Sequence, residues 1–181
     1  MSVTDDGTDT AASRLHELHE FFRTHPVTGP TERHTATVRP GTPINLGMLD
    51  HIRRTVTEVV DHTYAVNPEA GPFPQHVADV YQWCRENTQH ADDAQALRTR
   101  ILEIRHRLEH AVRAGDTKVV RPHRCPACGT VGLLWQAGIN RAMCLNIHCA
   151  KRNKGTHRTW KLAQLAYEQA IVEKSRLDCA T

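Results

Sequence analysis

The sequence predicts a mostly α fold in which an N-terminal helical bundle is followed by a small module of short β-hairpins and a closing C-terminal helix. Apolar residues recur at three- and four-residue spacing through most of the chain up to residue 114, which is typical of amphipathic helices. Beyond that point the helical spacing stops, and four of the six cysteines fall between residues 125 and 149. With 181 residues, 39% of them apolar, the chain can form one domain or two small ones.

The first helix follows a polar N-terminal segment. Residues 1–13 have short polar side chains and no apolar period, which predicts a disordered tail. Ser13 is suited to cap the helix that follows, in which the apolar positions are Leu15, Leu18, Phe21 and Phe22. The next stretch, 25–43, is rich in Pro, Gly and Thr and indicates a linker or extended loop.

Three more helices are predicted over about 45–64, 75–87 and 92–114, which completes a bundle over 14–116. Apolar residues on the last of these step by four and three, the spacing of a coiled-coil seam: Leu97, Ile101, Ile104, Leu108 and Ala111. Gly115 follows as a helix stop. This spacing is consistent with a bundle core, and it also allows a homodimer through the N-terminal helices.

The C-terminal segment, 117–181, changes character. Short β-type runs, 131–135 and 141–144, are separated by Gly and Asn, and a last helix is predicted over about 161–177. That helix carries Leu162, Leu165 and Ile171, so we expect it to pack on the β module and close the domain.

The cysteine spacing predicts a metal site. Cys125 and Cys128 are separated by two residues, Cys144 and Cys149 by four, and fifteen residues lie between the pairs. Two short-spaced pairs on turns suit one tetrahedral Zn²⁺, the arrangement of a zinc ribbon, and Gly129 after the first pair permits a tight backbone turn. Four cysteine ligands leave no open position, so the predicted zinc is structural.

Two alternatives to this ligand set stay open. His148 stands at a feasible ligand spacing from Cys144 and competes with Cys149, which we favour. The four cysteines could also be unliganded thiols or form a disulfide between the pairs. The polar, acidic N-terminus is unlike a secretory signal and predicts a cytoplasmic protein, and in that reducing compartment cysteine clusters more often bind metal. No apolar run reaches membrane-spanning length, so no membrane partner is expected.

Charge is segregated along the chain. The span 117–167 contains no Asp or Glu and nine basic residues, whereas the remainder carries 14 basic and 20 acidic residues. This pattern predicts nucleic acid as a partner, bound mainly through its phosphates. Besides Lys118, the basic residues are the predicted nucleic-acid contacts Arg121, Arg124, Arg141, Lys151, Arg152, Lys154, Arg158 and Lys161. Trp135 or Trp160 could stack on an unpaired base, although both also suit core positions.

Several segments together resemble a group of proteins encoded by actinobacterial phages and prophages. The resemblance rests on GTPINLGMLDHIRRTVTEV, on CPACG followed by LLW, on CLNIHC and on GTHRTW, and it covers roughly residues 40–165. It implies a helical N-terminal region with a C-terminal zinc ribbon, and it implies no activity. The chain departs from the group at Ile147, where Pro is frequent, and in the basic turn KRNKG, where acidic residues are frequent.

The sequence thus favours a nucleic-acid-binding protein with a regulatory or accessory role, with DNA preferred over RNA. The alternative is an adaptor that docks on a host protein such as the transcription machinery, which an exposed apolar patch on the ribbon would indicate. An HNH-type nuclease is less favoured, because no His lies between Cys128 and Cys144, although Asn140, His148, Asn153 and His157 are nearby. We therefore predict no enzymatic activity.

The thirteen histidines are interpreted as solvated. Most lie in the predicted helices, among them His16, His19, His51, His62, His106 and His110.

Overall fold

A computed structural model of the protein describes residues 9–24 and 46–179, so the predicted linker lies outside the described residues. Within these ranges six helices and one three-stranded antiparallel sheet are present, which confirms the mostly α fold. The helices are α1 Ala11–Thr24, α2 Leu46–Val66, α3 Val80–Asn87, α4 Asp93–Arg113, α5 Ile147–Lys151 and α6 Leu162–Asp178. The strands are β1 Leu133–Gln136, β2 Arg141–Cys144 and β3 Thr159–Trp160. None of the helices in these two ranges has the length and apolar composition needed to span a bilayer.

Helix α1 begins earlier than predicted, within the range 1–13 that we expected to be disordered. Thr10, and not Ser13, is its capping residue: the Ser13 amide donates to Thr10 Oγ1 at 3.1 Å, and the Thr10 amide donates to Ser13 Oγ at 2.9 Å. This reciprocal pair satisfies two amides at the helix start. Asp9 is also ordered and forms ion pairs with Arg14 at 2.6 Å and Arg107 at 3.4 Å.

Helix α4 contributes to both hydrophobic cores. On one side, Leu102 joins buried residues of α1, α2 and α3, such as Leu15, Val59 and Tyr81. On the other side, Ile104 and Leu108 join the sheet, the cysteines and α6, with Leu97 and Ile101 packed at the margin. Of the apolar seam of α4, Ile104, Leu108 and Ala111 are buried within the chain, whereas Leu97 and Ile101 are partly exposed. The homodimer that the sequence also allows through the N-terminal helices stays a prediction.

The sheet presents one face to the second core. In the β1–β2 pair, Leu133 stands opposite Cys144 and Trp135 opposite Ala142, and β3 pairs with β2 through Trp160 and Ala142. Leu133, Ala142 and Cys144 are all buried. The positions of β1 and β2 agree with the predicted β-type runs, whereas β3 and the short helix α5 were not predicted from the sequence.

The interpretation of the helix histidines as solvated is wrong for three of them. His51, His106 and His110 are 5%, 1% and 0% exposed, because α2 and α4 turn these positions toward the bundle interior. His62 is also partly buried and lies 2.8 Å from Thr99 Oγ1, whereas His16 is exposed.

The buried histidines form a continuous hydrogen-bonded chain with Tyr81. The Tyr81 hydroxyl lies 3.0 Å from both His106 Nδ1 and His110 Nε2, and His110 Nδ1 lies 3.0 Å from His51 Nε2. At the far end, His106 Nε2 lies 3.2 Å from Glu58 Oε2. Each buried side chain in this series has at least one hydrogen-bond partner, which removes much of the free-energy cost of burying it.

The Glu58 end of this chain also contacts Arg105. The pKa of Glu58 is lowered to about 2, chiefly by its hydrogen bond with His106. Arg105, whose guanidinium can only donate, contacts Glu58 and lies 3.1 Å from His106 Nε2. His106 Nε2 therefore lies between an acceptor and a donor, and the contacts are compatible with either proton order along the chain.

We predict that removing the Tyr81 hydroxyl destabilises the bundle. In Tyr81→Phe two buried imidazole nitrogens lose their common partner, and an unsatisfied buried polar group costs about 1–3 kcal/mol. Urea denaturation followed by circular dichroism measures the loss. The matched control is Tyr64→Phe, because that hydroxyl makes one exposed 3.3 Å bond to the Gly71 carbonyl and its removal should cost below about 1 kcal/mol. Equal losses in the two variants would contradict the buried chain.

We also predict that the free energy of unfolding falls as the pH drops from about 6.5 toward 4. Desolvation lowers the pKa of His51 to about 4 and that of His110 to about 2, whereas an unfolded imidazole titrates near 6.5. Below a pH of about 6.5 the two histidines become protonated in the unfolded state but not in the folded state. Their contribution to the free energy of unfolding is therefore fully present above this pH and is lost as the pH falls. At pH 5.5 each of the two imidazoles should lower the free energy of unfolding by about 1 kcal/mol relative to its value at pH 7.5.

Urea denaturation at pH 7.5 and 5.5, with and without a metal chelator, tests this pH dependence. Acid also protonates metal-binding thiolates, so the chelated protein isolates the contribution of the histidines. Equal stability of the chelated protein at the two pH values would show that the imidazoles are not buried in the neutral form.

Candidate metal centre and adjoining basic cleft

The first cysteine pair lies on a tight turn before the sheet. The amides of Cys128 and Gly129 donate to the Cys125 carbonyl at 3.3 and 2.8 Å, and Gly129 has a φ of +71°, a conformation that favours glycine. The Cys125 amide donates to the Thr130 carbonyl at 2.9 Å and closes the loop. These bonds orient both sulfur atoms toward the second pair.

The second cysteine pair is positioned by a strand and a helix. Cys144 is the last residue of β2, where its amide donates to the Arg158 carbonyl at 2.9 Å. Cys149 lies in α5, which is capped by the side chain of Asn146. The four-residue spacing therefore accommodates the start of a short helix, whereas the first pair occupies only a turn.

The four sulfur atoms form a compact cluster. All lie within 4.8 Å of one another, and Cys128 Sγ is 3.7 Å from Cys144 Sγ. Sulfurs bound at about 2.3 Å to one tetrahedral ion are about 3.8 Å apart, so the donor set fits a single metal ion. His148 is exposed and is not part of the cluster, which contains Cys149.

The remaining cysteines lie apart from this cluster. All six cysteines are in the described part of the chain, and none forms a disulfide. Cys84 is buried among the helices, as expected, and Cys179 is exposed after α6.

The thiols differ in how readily they ionise. Hydrogen bonds with the Thr130 side chain and backbone lower the pKa of Cys128, whereas desolvation raises the pKa of Cys144. Desolvation also raises the pKa of Cys149. Because a metal binds thiolates, the more exposed Cys128 is the sulfur best prepared to meet an incoming cation, and the cation would then favour ionisation of the others.

Asn146 connects the two halves of the cluster and was missed by sequence reasoning. Its Nδ2 lies 2.8 Å from Thr130 Oγ1 and 3.8 Å from Cys128 Sγ. Its Oδ1 accepts from the amides of His148 at 2.9 Å and Cys149 at 3.4 Å. A signal was present, since an Asn three residues before Cys149 is suited to cap a short helix.

The predicted nucleic-acid contacts are distributed over residues 121–161, on both sides of the cysteine pairs in the sequence. Most are exposed, and Arg141 and Arg158 are partly buried. Arg124 donates to the Gly129 carbonyl at 3.1 Å beside the first cysteine pair, while Lys151, Arg152 and Lys154 follow Cys149 along α5 and its terminal turn. Within residues 9–24 and 46–179, none of the nine basic residues of span 117–167 forms an ion pair with a carboxylate.

Two of these basic residues line a cleft of about 460 Å³ between the bundle and the ribbon. The ribbon side contributes Trp135, Ile139, Asn140, Arg141, Lys161, Leu162 and Ala163. The bundle side contributes His51 and Arg54 from α2 and Arg105, Glu109, Val112 and Arg113 from α4. The sequence did not predict this cleft, because its walls come from segments far apart in the chain.

The two tryptophans considered for base stacking are both partly buried against the second core. Trp135 faces the cleft. Trp160 borders a separate depression with Tyr167, and its buried Nε1 has no hydrogen-bond partner among the described residues.

The residues considered for a nuclease take part in local backbone contacts. His157 Nδ1 lies 2.8 Å from the Cys144 carbonyl, and Asn153 Nδ2 donates to the Thr156 carbonyl at 2.9 Å. Asn140 follows the turn between β1 and β2 with a φ of +49°. These contacts stabilise the ribbon turns.

No family model, curated protein or solved structure matches this chain. Function is therefore inferred from the sulfur cluster, the charges around it and the cleft.

We predict that Asn146→Ala weakens metal binding about 10- to 100-fold, because it removes a contact to Cys128 and the cap that positions Cys149. Titration with Co²⁺, whose thiolate complexes absorb visible light, measures the affinity. His148→Ala is the matched control and should leave the affinity unchanged, because His148 lies outside the cluster. Metal loss in the control would show that the ligand set is wrong.

Proposed function

We propose that the protein binds nucleic acid through a ribbon that is folded around one structural Zn²⁺. Four thiolates are a soft donor set of the kind that selects zinc, and they fill a tetrahedral site without leaving a position for substrate. The ribbon has three short strands and one five-residue helix, which is little secondary structure to be stable by itself. A structural zinc contributes on the order of 10 kcal/mol to folding such a module.

One observation carries the nucleic-acid proposal, namely nine basic side chains without a carboxylate partner among the described residues. Four thiolates around one Zn²⁺ carry a net charge of −2, so the span 117–167 keeps a charge of about +7. Unpaired Lys and Arg side chains bind phosphates and release counterions, which gives salt-sensitive binding with little sequence preference.

The biological setting is proposed from the resemblance to actinobacterial phage and prophage proteins. In that setting the protein acts in the bacterial cytoplasm in a regulatory or accessory role, with DNA as the favoured partner. The binding role requires no catalytic group, and we assign none.

A second candidate, docking on a protein, is favoured by apolar side chains on the ribbon surface. Leu134, Leu145 and Ile147 are 37%, 49% and 65% exposed. Leu134 stands opposite Met143 in the sheet, on the face directed away from the core. Exposed apolar side chains of this kind mark protein contacts when they are contiguous. A host protein is the partner expected for this candidate.

We predict that Arg152→Ala/Lys154→Ala weakens the binding of the zinc-loaded protein to nucleic acid about tenfold and reduces its salt dependence, because two phosphate contacts are lost. Fluorescence anisotropy with labelled duplex DNA, single-stranded DNA and RNA at several salt concentrations measures both effects. The control Arg53→Ala/Arg176→Ala removes the same charge from exposed positions on α2 and α6 and should bind almost as wild type.

Absence of binding at low salt by folded, zinc-loaded protein would overturn the nucleic-acid proposal. The docking candidate would then remain, and Leu134→Ser/Ile147→Ser would be tested against host proteins.

A further inference from the structure

The cleft between the bundle and the ribbon has more positive than negative charge. On its walls Arg113, Arg141 and Lys161 have no carboxylate partner in the described part of the chain. The other two cations are paired: Arg54 contacts Asp50 at 2.8 Å, and Arg105 contacts Glu58. The one carboxylate among the lining residues, Glu109, lies 3.9 Å from Arg105 Nε. Three cations are therefore available to an anionic ligand.

An aromatic ring lines the same cleft. Trp135 on β1 is partly buried against the second core, and it also lines the cleft beside the apolar residues Ile139 and Leu162. Aromatic side chains within a positively charged groove are the usual stacking partners of unpaired bases. A basic, partly apolar cleft thus matches the two parts of a nucleotide, a phosphate and a planar base.

The recessed position of Trp135 favours an unpaired strand. The cleft is open to solvent on one side, and its volume of about 460 Å³ is within the range of small-ligand sites, about 300–1,000 Å³. A base can reach a recessed ring such as Trp135 only when it has left the stack of a duplex. The exposed basic residues on the ribbon surface, by contrast, can contact the phosphates of single strands and duplexes alike.

The buried histidine chain ends at this cleft. His51 lines the cleft, and its Nε2 is turned inward to His110. Its Nδ1 has no hydrogen-bond partner among the described residues. The cleft therefore combines cations with one unpartnered imidazole nitrogen, which suits a hydrogen bond with a base edge or a ribose hydroxyl.

We propose that this cleft binds a single-stranded segment of nucleic acid. Arg113, Arg141 and Lys161 hold its phosphates, Trp135 stacks on one base, and His51 Nδ1 forms a hydrogen bond with the same nucleotide. The proposal rests on the proposed nucleic-acid-binding function and assigns to it a site that includes the bundle. Arg113 lies on α4 in the bundle, outside the basic span 117–167. The charge pattern of the ribbon therefore does not predict it as a contact.

The test uses the full zinc-loaded chain and labelled ten-nucleotide probes of dU, dC and U, with a matched duplex. Single strands should bind at least about fivefold more tightly than the duplex, because only they can stack on Trp135. Arg113→Ala should weaken single-strand binding at least about fivefold by removing a phosphate contact. The control Arg53→Ala removes the same charge from an exposed position of α2 outside the cleft and should have no effect.

The variant Trp135→Phe tests whether a base stacks on Trp135, and it changes the packing around this position little. Binding should quench tryptophan fluorescence, and Trp135→Phe, which keeps a ring at this position, should lose most of the quenching while remaining folded. Comparison of dC with dU exchanges donors and acceptors on the base edge, and comparison of U with dU isolates the 2′-hydroxyl. A preference in either comparison should disappear in His51→Phe.

The results of these experiments distinguish binding in the cleft from the broader proposal that the protein binds nucleic acid through the ribbon. If probes bind in a salt-dependent way but Arg113→Ala and Trp135→Phe behave as wild type, the cleft is not the site and the ribbon surface remains the proposed one. Tighter binding of the duplex than of single strands would also overturn the cleft proposal. If no probe binds at low salt, both proposals fail.

Discussion

The two-sided packing of α4 is the constraint on which the rest of the structure depends. One side of this helix closes the core formed with α1, α2 and α3, and the other side closes the core formed with the ribbon and α6. A single rigid helix shared by two cores fixes how the ribbon lies against the bundle, because interiors are close-packed and resist displacement. The cleft exists as a defined shape for the same reason, since its two walls are both fixed with respect to α4.

The ribbon shows how a small segment obtains a stable shape from few residues. Its buried side chains include three of the four clustered cysteines, so the same residues serve the core and the ligand set. Asn146 joins the two cysteine turns and caps α5, which makes the cluster a connected unit. Because four thiolates leave no open position at a metal, the chemistry available for recognition lies on the surface around the cluster, where positive charge and apolar side chains occur together.

Several features escaped sequence reasoning for identifiable physical reasons. The helical spacing of apolar residues predicts which positions face a core, but it assigns histidine to the surface, and the burial of His106 and His110 depends on Tyr81 supplying a partner from another helix. Strand β3 has only two residues and pairs with β2 across the turn that carries α5, so its sequence alone contains no detectable alternation. The helix start at Ala11 depended on a Thr–Ser capping pair one turn earlier than the cap we expected.

The sequence by itself determined the five longer helices, the first two strands and the cysteine pairs, because apolar periodicity and ligand spacing are local properties of a chain. It also determined the charge of the ribbon, since a span without acidic residues cannot neutralise its own basic ones. Only the tertiary structure decided that Cys149, and not His148, joins the cluster, and that His51 meets His110 across 59 residues. It also decided that Arg113 shares a cleft with Arg141 and Lys161. These outcomes depend on the packing of elements distant in sequence, which no local pattern encodes.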